Sequence, residues 1–219
     1  MSETEMVIDY LAKWGHFLAG ITWIGLLYYF NFVQTEYFKE ADAGARTDAF
    51  TKLVPRALWW FRWAAMFTFL TGLIMLYFRG ISVSVDLVVG SVMATLMFLN
   101  VWLIIWPNQR ILIESNKQIA GGGEALPEAA AAAPKAALAS RTNVLFSIPM
   151  LYFMGSTSAN LSSGIMTSEI NALVASLVII AAIEVNAIVG KPGPIASIRG
   201  VIVSGFVLML VLWGLLTIF

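Results

Sequence analysis

The 219 residues are 59% hydrophobic and 12% charged, with a mean hydropathy of +0.82, where a soluble domain has about 45–50% apolar and roughly 25% charged residues; the chain reads as an integral membrane protein. Thirteen Lys and Arg balance thirteen Asp and Glu, so there is no basic surface for a nucleic acid backbone. The absence of Cys excludes disulfides, thiolate nucleophiles, iron–sulfur clusters, Cys-ligated zinc and covalent c-type haem, and the single His excludes a two-His site within one chain.

Crossing about 30 Å of hydrocarbon takes roughly 20 apolar residues. Runs of that kind cover residues 6–34, 57–78, 85–106, 171–189 and 199–219. A sixth run, 143–157, is shorter and carries Ser147 and Pro149; it is read as a span. The expected fold is all-α: one integral membrane domain over residues 1–219, a polytopic transmembrane helical bundle of about six spans. The first run follows SETE without a basic leader and contains His16 and Asn31, the wrong build for a cleaved signal peptide, so this span is expected to stay in the mature protein.

Basic residues alternate between connections. Lys39, Arg46, Lys52 and Arg56 follow the first run; Arg110, Lys117, Lys135 and Arg141 follow the third; Lys191 and Arg199 follow the fifth. The other side holds Lys13 and Arg79. By the positive-inside rule both termini are expected outside, with three cytoplasmic connections. The long connection, about 107–142, runs from a charged helical stretch into GGG at 121–123 and an Ala-rich tract with Pro127 and Pro134. It predicts a helix extension, a break and a second short helix. A phosphate loop would need a preceding strand and a following Lys-Ser/Thr, which this stretch lacks.

Polar residues within the spans carry the functional signal, because each is costly in hydrocarbon unless it faces the bundle interior. On the first helix His16, Gly20, Trp23, Leu27, Asn31 and Gln34 fall on one stripe at helical spacing. Arg62 lies in WWFRW (59–63), Asn100 precedes WPNQ (106–109), Asn143 opens the fourth run, and Glu184 and Asn186 end the fifth. All but His16 belong near the cytoplasmic ends of their helices. One reading makes Arg62 and Glu184 a buried ion pair, the amides interhelical ties and the Trp residues an interfacial belt. The other is a pocket in which Arg62 holds a planar anion by its fork of donors while the amides read carbonyls and ring N–H groups. His16 is a packed core residue, a proton carrier or the axial ligand of a b-type haem. A second axial ligand would come from Met, water or His16 of another subunit, so a homo-oligomer is among the expected assemblies.

The stretches HFLAGITWIGLLYYFNFVQ (16–34), RALWWFRWAAMFTFLTG (56–72), LNVWLIIWPNQR (99–110), SRTNVLFSIPMLYFMGS (140–156) and IEVNAIVGK (183–191) resemble, in order, the N-terminal membrane domain of the bacterial membrane-bound urate oxidase (urate hydroxylase) family. The resemblance implies oxidation of urate to 5-hydroxyisourate in the inner membrane, with electrons passed to a cytochrome c rather than to dioxygen. Full-length members carry a fused cytochrome c domain with a CxxCH motif and are usually described with eight spans. These residues contain no Cys, so a separate cytochrome c is the expected acceptor. A looser likeness of HFLAGITWIGLLY (16–28) is to the first helix of small haem-containing membrane proteins of the protoporphyrinogen-oxidase type. The resulting expectation assigns Arg62, Asn31, Gln34 and Asn100 to the substrate, Glu184 to proton transfer, and His16 to the redox step as ligand to a haem iron. The alternative is a transporter or channel for a small anionic solute, using the same polar stripe as its path.

Overall fold

A computed structural model describes residues 2–80, 83–156 and 169–218. Residues 157–168, which hold the end of the fourth apolar run and most of GSTSAN (155–160), lie outside the described residues. Every described element is helical, in keeping with the all-α expectation. The first helix is Glu3–Glu40, the second Ala43–Arg79, the third Val85–Ala120, the fourth Ala129–Ser156, the fifth Glu169–Val189 and the sixth Ile198–Ile218. Five stretches are long and apolar enough to cross a membrane: those of the first three helices, Ile170–Val189 and Ile198–Thr217.

Their surfaces agree with lipid as the solvent. No more than 39% of the apolar window of any of the five is buried inside the protein, and Phe17, Ile21, Leu103 and Val189 are each more than two-thirds exposed. A soluble monomer rarely leaves so much contiguous apolar area in water. Exposed Trp and Tyr rings mark two levels on the second helix, Trp59, Trp60 and Trp63 at one and Tyr77 at the other, with the apolar Phe67 exposed between them. From residue 60 to 77 is roughly 25 Å along the axis, close to the hydrocarbon thickness.

The helices outrun the apolar runs. At 38, 37 and 36 residues, the first three are each about 55 Å long, far more than the membrane needs. The basic residues 39–56 and 110–141 therefore lie largely on helix rather than in loops. The connection expected at about 107–142 is helical to Ala120, turns through 121–128, and is helical again from Ala129. The second piece is not short: it runs without interruption through Pro134 and Pro149 to Ser156.

Neighbouring helices run antiparallel. His16 meets Thr71 and Phe30 meets Phe61 along the first pair; Trp63 meets Trp102 and Phe69 meets Phe98 along the second. Asp86 meets Ser156 while Asn100 meets Asn143 along the third and fourth. The turns at 41–42, 121–128 and 190–197 consequently share one end of the bundle, where the basic residues collect, and residues 2 and 218 lie at the other.

The fourth helix is the hub. It packs on the first, third, fifth and sixth helices and buries Arg141, Thr142, Asn143 and Ser147 beside its apolar side chains. That polarity lowers its hydropathy below that of its neighbours, and its central position supplies the partners that make the polarity tolerable. The sixth helix comes close at Gly205, where a Cβ would fall 2.5 Å from Ile148.

Candidate functional site

Three of the amides singled out in the sequence sit in widened, π-helical turns. Tyr29–Gln34 holds Asn31 and Gln34, and Asn100–Ile105 begins with Asn100. A π turn inserts a residue into the helix, frees backbone groups and redirects side chains, and such turns concentrate at functional positions. A third, Ala49–Leu53, lies in the basic extension of the second helix.

Asn100 is 1% exposed. Its Nδ2 donates to Oδ1 of Asn143 at 3.0 Å and to Oε2 of Glu184 at 3.1 Å, while Asn143 Nδ2 donates to the Met97 carbonyl at 2.9 Å. Three helices are thereby tied by one polar knot, with a carboxylate at its half-buried edge. Asn31 closes a second knot, its Nδ2 donating to the Leu27 carbonyl at 2.9 Å and to Ser140 Oγ at 2.8 Å. Deeper still, just under one turn from Asn31 and about two turns from Ser140, the Tyr28 and Ser147 hydroxyls lie 2.9 Å apart. Asn186 plays a different part from the other amides. It is exposed and ends the fifth helix, donating to the Lys191 carbonyl and accepting from the Lys191 N–H.

Arg62 is not paired with Glu184. Its guanidinium carbon stands 3.7 Å from the centroid of Trp106, and Arg110 approaches the same ring at 5.9 Å, a cation–π arrangement that keeps the fork of donors at the edge of the aromatic belt. Ion pairs local to one helix join Asp9 to Lys13, Glu36 to Lys39, Asp48 to Lys52 and Glu114 to Lys117.

Several buried polar atoms near this end have no hydrogen-bond partner: Gln34 Oε1, Trp102 Nε1, Gln109 Oε1, Arg141 Nη1 and Thr142 Oγ1. Buried polar atoms are normally satisfied, so a group of orphans asks for a ligand or water. Arg141, 8% exposed, was read in the sequence as a loop cation. Its signal was its place at the head of an apolar run, directly before Thr142 and Asn143.

At the other end the first four helices enclose an apolar cleft of about 720 Å³. His16 lines it, with Gly20, Gly25 and Gly72 leaving its walls bare and Lys13 and Arg79 among its residues. Trp23 lines it too, 1% exposed, with its Nε1–H unpartnered. The His16 ring is held by Thr71, with Nδ1 and Oγ1 3.1 Å apart. Gly72 lets the ring approach, since a Cβ there would come within 3.3 Å of Cε1.

The structure thus joins Asn100 to Glu184, places Asn31 and Gln34 on one π turn, sets Arg62 on Trp106, and keeps His16 apart in the cleft. From His16 to Asn31 is roughly 22 Å along the helix. A smaller cavity of about 440 Å³ beside Gln34 is lined by Tyr29, Tyr37 and Asp48.

The urate oxidase N-terminal family matches residues 82–213, more than half of the chain. The chain belongs to this family. The matched stretch takes in the third to sixth helices almost whole, and with them the knot of Asn100, Asn143 and Glu184; His16, Asn31, Gln34 and Arg62 precede it. No curated protein and no solved structure matches the chain. A urate-related role for a family member and helices able to span a membrane are the frame in which these polar groups act.

Proposed function

We propose that the chain is a membrane-bound oxidoreductase of purine catabolism, which oxidises urate to 5-hydroxyisourate in the bacterial inner membrane and passes the electrons to a cytochrome c. The observation that carries this reading is the family match across the polar knot. The buried, unpartnered atoms at the basic end support it, because urate is a flat anion with carbonyls and ring N–H groups on every edge, and it can engage donors and acceptors together.

In this reading Arg62 and Gln34 contact the substrate. Arg62 supplies planar donors to a urate oxygen, and Gln34 Oε1 accepts from a ring N–H. Arg141 adds a buried cation to the half-buried Arg62. Asn31 and Asn100, already bonded to their neighbours, hold the π turns that set the pocket's shape. The positive-inside rule places this end in the cytoplasm and both termini outside.

The chemistry is hydroxylation by water. Urate and one water give 5-hydroxyisourate, two protons and two electrons; a new C5–O bond forms, and the electrons reduce two ferricytochromes c. Glu184, at the open edge of the knot, accepts a proton from the attacking water or from the urate ring. Turnover in heavy-oxygen water under air is the test. The product should carry the label at its new hydroxyl, whereas label arriving from dioxygen, or no urate consumption with cytochrome c present, would refute the reading.

A further inference from the structure

The cleft around His16 plays no part in binding urate, and it has the features of a site. Its volume of about 720 Å³ falls within the roughly 300–1,000 Å³ of cofactor pockets. Among the described residues no group of three or more His, Asp, Glu or Cys gathers to hold a bare metal ion. A macrocycle changes that requirement, since haem brings four equatorial nitrogens and asks the protein for one or two axial ligands only.

The hydrogen bonds around His16 fix which nitrogen is available. The Thr71 hydroxyl has one proton, and its nearest acceptor is the Phe67 carbonyl at 2.6 Å, with the Thr68 carbonyl at 3.1 Å. Towards His16, then, Thr71 Oγ1 accepts. Nδ1 is the protonated nitrogen and Nε2 keeps its lone pair. Metal-bound imidazoles are held in this way, one nitrogen donating to a neighbouring oxygen while the other ligates.

The walls match a flat, mostly apolar guest with a charged edge. Gly20, about one turn along the helix from His16, leaves open space beside it, and most of the surrounding side chains are apolar. Lys13 and Arg79 belong to the same cleft; Lys13 lies just under one turn beyond His16, and Arg79, the last residue of its helix, about two turns beyond Gly72. Lys13 is paired with Asp9, but an ammonium has three donors and its side chain is 51% exposed. Two cations at one rim suit the two propionates of a haem. Met150 and Met154 line the cavity as well, so a thioether is present for the sixth position.

We propose that this cleft binds one b-type haem per chain, with His16 Nε2 as axial ligand and Lys13 and Arg79 beside the propionates. Its role rests on the urate reading: a haem held by His16 would supply one-electron chemistry, letting the two electrons of urate oxidation reach ferricytochrome c singly. Its existence does not rest on that reading.

The test is therefore spectroscopic and uses no urate. The full chain, produced with a haem precursor supplied and purified in mild detergent, should give a pyridine haemochrome of the b type at one per chain. His16→Ala should lose the band while eluting as a monodisperse species. His16→Gly should recover it when imidazole is added. Thr71→Val should keep the haem but raise its midpoint potential, because an imidazole no longer donating from Nδ1 is a less basic ligand and stabilises ferric iron less. A haem-free parent or an unchanged spectrum in His16→Ala would overturn the proposal.

Discussion

Replacing Asn143 by Ala removes the centre of the knot that joins the third, fourth and fifth helices. Asn143 is fully buried, and two hydrogen bonds go with it, one accepted from Asn100 and one donated to the Met97 carbonyl. Interhelical hydrogen bonds within membranes contribute about 0.6 kcal/mol on average and up to about 1.7. Two of them give about 1.2 kcal/mol. The vacated space and the Met97 carbonyl left without its amide add a further ~1–2 kcal/mol, so the total loss should be about 2–3 kcal/mol. Asn100 keeps its bond to Glu184, which limits the damage to one side of the knot. Reversible unfolding in mixed sodium dodecyl sulfate micelles, followed through the eight tryptophans, measures the change. A double-mutant cycle with Asn100→Ala should give a coupling of about 0.6–1.7 kcal/mol. Asn143→Ala within about 0.5 kcal/mol of the parent, together with zero coupling, would refute the view that this knot holds the three helices together.

Arg62→Lys keeps the charge but loses the planar fork and the stacking on Trp106, so KM for urate should rise more than tenfold, about 1.4 kcal/mol, with the unfolding midpoint unchanged; parent-like KM would show that Arg62 does not touch the substrate. Glu184→Gln still accepts from Asn100 through its amide oxygen and should fold normally, while kcat falls at least tenfold with KM preserved; parent-like kcat would remove Glu184 from proton transfer. Single cysteines at Ala43, Ala130 and Lys191 should be shielded from an impermeant thiol reagent added to intact spheroplasts, and one at Ser163, outside the described residues, should react. Labelling at Ala130 from outside would invert the orientation. Gly205→Ala puts a methyl group against Ile148 and should destabilise the contact between the fourth and sixth helices by about 1–3 kcal/mol, read in the same micellar unfolding assay; a neutral result would mean that the two helices separate without cost.

Five of the apolar runs were legible because lipid demands uninterrupted apolar stretches, and those five lie along observed helices long and apolar enough to cross a membrane. Their polar extensions were not. Residues 107–120 and 129–142 look like connection by hydropathy, yet helix continues through them, because side-chain polarity says little about the backbone once outside the membrane. The stripe from His16 to Gln34 was visible at helical spacing, but the π turn at Tyr29–Gln34 alters which way Asn31 and Gln34 face, and no residue type announces such a turn. Arg141 was counted as a loop charge because its burial depends on the first helix packing against the fourth, a contact between residues more than a hundred positions apart. Arg62 and Glu184 invited pairing by charge and depth; the structure gives Glu184 to Asn100 and Arg62 to Trp106 instead. The cleft at His16 is lined by residues of four helices, a convergence that a single sequence cannot register.

The account turns on where the electrons from urate go. With the protein in sealed proteoliposomes, oxygen removed, and urate and ferricytochrome c supplied on the sides assigned to them, cytochrome c reduction and urate loss can be followed together. Two cytochromes c reduced for each urate consumed is the predicted result. Urate loss that requires oxygen and leaves cytochrome c oxidised would contradict it.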